Sequence, residues 1–406
     1  MRKTINRILA VLFIVFIAVI FSGTMIKYGR NYAYGFFKGY KEQLPENPNV
    51  FDNIRARIGR LEYNAGQRLF LRNPLREMNA GIQALAGKDM INIGTHYTVR
   101  LSSGGYYDLF TGDFGTEKTD ELIAFANRLM EEKNIPTLFA YCHCGLYEDG
   151  LIDDIYRDFD NNNECADQLL SAFSAGGVPI VDSRQVYRNK ALSINQAIMK
   201  SDIHWTHRMA FETAAEVVSV MNAEFGWALN EEALVYENFE DVLYEGLLYG
   251  EIAQRLGDMR TEEDDIHLLY PKYDTHIVYD AENEGHVHRE GSFYEAIIEP
   301  EKLELDASGA YQGKKNTSAY YVYGDYLAEM HTVNEAAASV RALIFKDSYG
   351  TPVSSFLSLA CREVYALDLR STELSMEEWV DRVQPDVVIF AYSQQMLRNF
   401  DYVIAE

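Results

Sequence analysis

The sequence is short of positive charge and of cysteine, and it contains only one long apolar run. Lys and Arg number 37 against 61 Asp and Glu, a formal net charge of −24. So acidic a chain repels phosphate backbones, which argues against general nucleic-acid binding. Cys142, Cys144, Cys165 and Cys361 are the only cysteines. Structural zinc sites usually leave two to four residues between paired cysteines; Cys142-His143-Cys144 leaves one, and no second pair follows. Buried thiols, or one bridge such as Cys144 to Cys165, are the expected state. Internal repeats and low-complexity tracts are missing too. Hydrophobic residues make up 48% and charged residues 24%, so wholesale disorder is excluded and a sizeable core is expected.

The apolar run lies near the start. From Ile8 to Ile26 there are 19 residues without a charge, enough for a helix of roughly 28 Å, close to the hydrocarbon thickness of a bilayer. Arg2, Lys3 and Arg7 precede it, and the positive-inside rule keeps that end in the cytoplasm. The first 30 residues carry +5, so the rest of the chain carries −29 and lies outside. A cleaved signal peptide is the alternative, although its apolar core is usually shorter and no clear Ala-x-Ala site follows. The four cysteines then face a compartment that permits disulfides.

Three regions follow from the pattern: an anchor over 1–30, a linker and helical region over 31–86, and an α/β domain over 87–406. In the last, strands are predicted at Met90–Ile93, Tyr97–Leu101, Thr137–Tyr141 and Val178–Val181. Helices are predicted at Thr119–Lys133 and Cys165–Ala175. The rhythm resumes with strands at Ala342–Phe345, Val364–Leu367 and Val387–Phe390. Helices at Thr351–Cys361 and Ser375–Val383 lie between them. This alternation predicts parallel βαβ units and a mostly parallel sheet flanked by helices. The segment 226–334 is less regular, with acidic helical sequence over Asn230–Leu256, and reads as an insertion.

Two segments could carry chemistry. Leu343-Ile344-Phe345-Lys346-Asp347-Ser348-Tyr349-Gly350 is a short strand running into a helix, which puts Ser348 at the carboxyl edge of a parallel sheet. The amides after it sit at a helix start and could bind an oxyanion. An ordinary helix cap accounts for Asp-Ser there equally well. Ser201-Asp202-Ile203-His204-Trp205-Thr206 sets a carboxylate two residues before an imidazole. In extended backbone these side chains point the same way, so Asp202 could orient His204 as a base. A surface or capping pair is the simpler reading. His286-x-His288 would need a strand and a nearby carboxylate to bind metal, and a solvated loop is expected there instead. The 28 tyrosines could stack on sugar rings, but most such residues straddle core and surface.

In this order the two segments resemble the extracytoplasmic SGNH-hydrolase-like proteins that include alginate O-acetyltransferases and the bacterial DHHW proteins. That family pairs an Asp-x-His-Trp-Thr motif with a later strand-Lys/Gly-Asp-Ser-Tyr/Phe motif; here these are Asp202, His204, Trp205 and Thr206, then Lys346, Asp347, Ser348 and Tyr349. The resemblance spans about 51–391 and is weaker across 226–310. Met209 stands where the family often has glycine, and Gly350 replaces a frequent alanine.

The resemblance implies an SGNH-hydrolase-like α/β fold in which Ser348 is the nucleophile, His204 the base and Asp202 its orienter. Tyr349 and Arg370 would bind substrate or the oxyanion. No cofactor and no metal are implied. The activity implied is acyl transfer, most simply O-acetylation of a cell-surface or secreted polysaccharide. The acyl group would come by way of a multi-pass membrane acyltransferase. A carbohydrate esterase with the same triad, and a non-catalytic anchored polysaccharide-binding protein, are the alternatives. The basic flank and apolar run predict that a C-terminal reporter active only in the cytoplasm will be silent; strong reporter activity would contradict that topology.

Overall fold

The structure, a computed structural model, describes residues 2–45, 48–93, 96–112, 116–143, 145–257, 261–282, 285–306 and 315–393. The chain divides into two compact units, Met1–Ala86 and Gly87–Glu406.

The first unit is helical. Arg2–Phe37 is one continuous helix, running beyond the apolar stretch because no proline occurs before Pro45. Its large apolar side chains, from Ile8 to Phe21, are mostly exposed, and it is long and apolar enough to cross a membrane. A second helix, Val50–Gln67, opens with a capping box. Asn49 accepts from the Phe51 and Asp52 amides, and Asp52 accepts from the Asn49 amide. A third helix spans Arg72–Leu85.

The second unit begins with a small antiparallel sheet of β1 (Met90–Ile93), β2 (His96–Arg100) and β3 (Tyr106–Leu109). Next come β4 (Thr137–Tyr141) and β5 (Ile180–Asp182), then a separate ribbon of β6 (Phe239–Leu248) and β7 (Asp264–Pro271). The remaining strands are β8 (Ile277–Glu282), β9 (His286–Gly291), β10 (Glu329–Val333), β11 (Ala338–Lys346), β12 (Cys361–Leu367) and β13 (Val387–Tyr392). Eight strands form the main sheet in the order β5-β4-β13-β11-β12-β10-β8-β9.

Two expectations are corrected here. The sheet is mixed rather than mostly parallel. The five strands from β5 to β12 run parallel, whereas β10, β8 and β9 are joined antiparallel. Those three strands come from the segment read as an insertion, and β8 and β9 follow each other too closely for a parallel crossover. Nor is Asn230–Leu256 mainly helical. It holds two short 3-10 turns, β6 and the six-residue helix Glu251–Leu256. Phe239, Val242, Leu243 and Tyr244 favour a strand once β7 pairs with them, overriding the acidic helix formers around them.

The central strands are buried on both faces, and alternation divides their side chains between two cores. Leu138, Ala140, Ala342, Ile344, Ile389 and Ala391 pack with the helices His207–Phe225 and Gly350–Leu357. Phe139, Tyr141, Leu343, Phe345, Val388 and Phe390 pack with Thr116–Glu131, Asn162–Ala175 and Met376–Val383. This double covering fixes the carboxyl edge from which β11 delivers Ser348. Ile344 is fully buried and Val287 on β9 is 44% exposed. Ile344→Ala should therefore destabilise the second unit by about 2–5 kcal/mol and Val287→Ala by under about 0.5 kcal/mol. Chemical denaturation of the two variants checks the contrast.

Candidate active site

Ser348 leaves β11 between the buried Asp347 and Tyr349, and the helix Gly350–Leu357 starts directly after them. Asp347 shapes this turn. One carboxylate oxygen accepts from the Tyr349 amide (2.9 Å), and the other accepts from the amide and hydroxyl of Ser393, beyond β13 (2.9 and 2.8 Å). The Gly350 amide donates to the Asp347 carbonyl at 3.1 Å. Both amides after Ser348 are thus committed to the turn, contrary to the expectation that they face an oxyanion. Gly350 fits because a Cβ there would press on Lys346 and Ala391. Burial pushes the Asp347 carboxyl upward despite the Ser393 bonds, and pushes Lys346, whose ammonium donates to the Tyr326 carbonyl at 2.8 Å, down to about 8.

Asp202 and His204 come from a loop ahead of the helix His207–Phe225. The backbone here is a bend, not the extended segment expected. The two side chains meet because the His204 amide folds back to Asp202 Oδ1 at 3.0 Å, an Asx-type turn. Asp202 Oδ1 also lies 2.5 Å from His204 Nδ1, and His204 Nε2 lies 2.8 Å from Ser348 Oγ. Asp202 Oδ2 accepts from the Glu251 amide at 2.7 Å. Burial raises the Asp202 carboxyl, but the adjacent His204 ring and these donors outweigh it and hold it below the ordinary range. The carboxylate fixes Nδ1 as the protonated nitrogen, so the Nε2 lone pair faces the serine hydroxyl.

Aromatic side chains hold the imidazole in place. Tyr320 stacks on His204 with ring centroids 4.1 Å apart, and Tyr349 packs against it at 4.8 Å. His207 Nε2 lies 2.9 Å from the Tyr320 carbonyl, and burial pushes His207 down to about 4, so this ring is neutral. Tyr349 is buried; its hydroxyl donates to the Ile203 carbonyl. The structure therefore places it behind the histidine loop. Arg370 forks onto Asp368 at the end of β12 (Nε to Oδ1 2.8 Å) and lies over the Tyr326 ring. It shares the carboxyl edge with Ser348.

Sequence reasoning missed a second layer. Asp264 on β7 accepts from the Ser201 hydroxyl and amide at 2.5 and 2.7 Å, anchoring the residue before Asp202. Gly250 allows the Glu251 amide to reach Asp202, because a Cβ there would collide with Ser201 O and with Asp202. No motif marks either residue; both lie in the irregular segment. Cys142, Cys165 and Cys361 are buried. Cys144, part of the disulfide expectation, lies outside the described residues.

An apposed acid, base and serine at the carboxyl edge of an α/β sheet form the geometry that serine acyl-transfer and hydrolase chemistry requires. Residues 110–275 match the family described as SGNH hydrolase-like domain, acetyltransferase AlgX. That match covers less than half of the chain, which over this region is similar to the SGNH-hydrolase-like group. A DHHW family protein from Eubacterium siraeum is similar with a TM-score of 0.58 and 14% identity, over 79% of this chain and 99% of that one. Bacillus cereus PatB1, in a structure with a sulfonyl adduct, gives 0.59 and 16% identity over 77% and 100%. At these identities the likeness shows the fold. No curated protein matches the chain in sequence.

Two outcomes follow for the second layer. Gly250→Ala should destabilise the unit by about 1–3 kcal/mol through overpacking, read by chemical denaturation. Burial, opposed by the Ser201 and Lys200 donors, pushes the Asp264 carboxyl up to about 6. A carboxyl raised above its unfolded value of about 3.9 binds a proton on folding, so its contribution falls as pH rises from about 4 to about 6. The stability of the wild type relative to Asp264→Asn should fall over that window. Thermal melts across it check the sign, and a rising difference would contradict it.

Proposed function

We propose that this protein is an extracytoplasmic, membrane-anchored acyltransferase that O-acetylates a cell-surface or secreted polysaccharide through Ser348, His204 and Asp202. The observation that carries the reading is the single imidazole bridging Asp202 Oδ1 and Ser348 Oγ at 2.5 and 2.8 Å. The AlgX family match and the apolar first helix support its class and its place. Ser348 Oγ attacks the acyl carbonyl as its proton passes to His204 Nε2. The tetrahedral intermediate collapses to a serine ester, and His204 returns the proton to the leaving group. A sugar hydroxyl then enters, His204 takes its proton as it attacks the serine ester, and the new tetrahedral intermediate collapses with His204 returning that proton to Ser348 Oγ as the acyl group passes to the sugar. Asp202 remains ionised throughout and stabilises the imidazolium. The acyl group reaches Ser348 from a multi-pass membrane acyltransferase, and Arg370 lines the site.

The test is an assay of the full-length protein with 4-nitrophenyl acetate, with and without oligosaccharide acceptors. Acetylated oligosaccharide supports the transferase. Release of acetate alone identifies a carbohydrate esterase with the same triad, and inertness identifies a binding protein. Ser348→Ala and His204→Ala should each lower turnover by about 10⁴ or more, with the melting temperature little changed for Ser348→Ala. Near wild-type turnover in Ser348→Ala would overturn the assignment. Gly250→Ala should lower turnover more than substrate affinity, because it displaces the Glu251 amide from Asp202.

A further inference from the structure

The antiparallel edge of the main sheet carries a group of ligating side chains unrelated to the serine site. His286 and His288 lie on β9, not in the loop expected from sequence, and alternation puts both on one face. Glu282 and Asp280 on β8 stand directly opposite them in register. The carboxylate needed to complete a site, invisible in the sequence spacing, is thus supplied by strand pairing. One ligand atom each from Asp280, His286 and His288 falls within 4.8 Å of the others. His288 Nδ1 lies 2.8 Å and His286 Nε2 3.5 Å from the same oxygen, Asp280 Oδ1.

We infer that Asp280, His286 and His288 bind a divalent transition-metal ion of the Zn²⁺ class, with water completing the coordination. Zinc–ligand bonds of about 2.0–2.2 Å set neighbouring ligand atoms about 3.3–3.5 Å apart in a tetrahedron. The observed separations need only small side-chain rotations to reach that value, and side chains half-exposed at the sheet edge can make them. Two imidazoles and a carboxylate are the donors that this class of ion takes. Glu282 adds the outer partner. Its Oε1 lies 2.7 Å from His286 Nδ1, which keeps that nitrogen protonated and leaves the Nε2 lone pair turned toward Asp280. A histidine held by one carboxylate while its other nitrogen faces a ligand position is the arrangement that orients metal-bound imidazoles. A groove of about 200 Å³, lined by Asp280, Glu282, His286, Glu329 and His331 among others, gives the ion access.

The probe is Zn²⁺ alone, titrated into metal-free full-length protein against a chromophoric chelator. Stoichiometric binding of one ion per chain is expected. Glu282→Gln should weaken it by about 10-fold, in the range found for the outer partners of metal ligands, and His286→Ala and His288→Ala, which each remove a ligand, should weaken it more. His276→Ala, whose imidazole pairs with Glu290 instead, should leave binding unchanged. Equal melting temperatures without metal show that the variants fold, and Zn²⁺ should raise the melting temperature of the wild type but not of the double histidine variant. A wild type that takes up no Zn²⁺, or a double variant that binds as tightly as the wild type, would overturn the assignment.

Discussion

A carboxylate taken out of water must find donors for both oxygens, and burying Asp202 imposes that demand on the second unit. An unpaired buried charge is worth several kcal/mol of instability. Here the charge is met by the His204 ring, the His204 amide and the Glu251 amide. Meeting it brings together the loop before the helix His207–Phe225 and the start of the helix Glu251–Leu256, with room only for glycine at 250. A second carboxylate, Asp264, is displaced in the opposite sense, since burial outweighs its Ser201 and Lys200 donors and the charge of Asp202 adds to it. One acid is held ionised and its neighbour is pushed toward neutrality, and the same loop depends on both.

The main sheet divides into halves with different constraints. The parallel half from β5 to β12 is covered by helices on both faces and carries the edge from which Ser348 emerges. The antiparallel half, β10, β8 and β9, ends in a strand whose side chains are largely exposed. Substitution in the first half disturbs two cores at once. In the last strand it changes surface chemistry with little effect on packing, which is where a metal site can arise without penalty to the fold.

The strands and helices flanking Ser348 were legible because buried parallel strands leave short apolar runs and the helices between them leave a 3.6-residue stripe. The sequence also pointed to Asp202, His204 and Ser348, and the structure sets these three within hydrogen-bond distance. What escaped detection was non-local. β6 reads as helix until β7 pairs with it. Asp264, Gly250 and Tyr320 join the site from segments with no periodic signature. His286 and His288 gain a carboxylate only through their register with β8. Tyr349 had been expected to face substrate, but its burial follows from ring contacts with Trp205 and His204 that no local pattern encodes.

The separation of His204 from Ser348, 144 residues along the chain, has a kinetic meaning. Closing so large a loop is entropically expensive and comes late in folding. Until β11 has docked between β12 and β13, the serine hydroxyl has no base beside it and retains its intrinsic, very weak nucleophilicity. Before that docking the unit holds no apposed serine and imidazole. Any covalent label that reacts with Ser348 reports completed long-range assembly of the sheet, not merely the presence of the polypeptide.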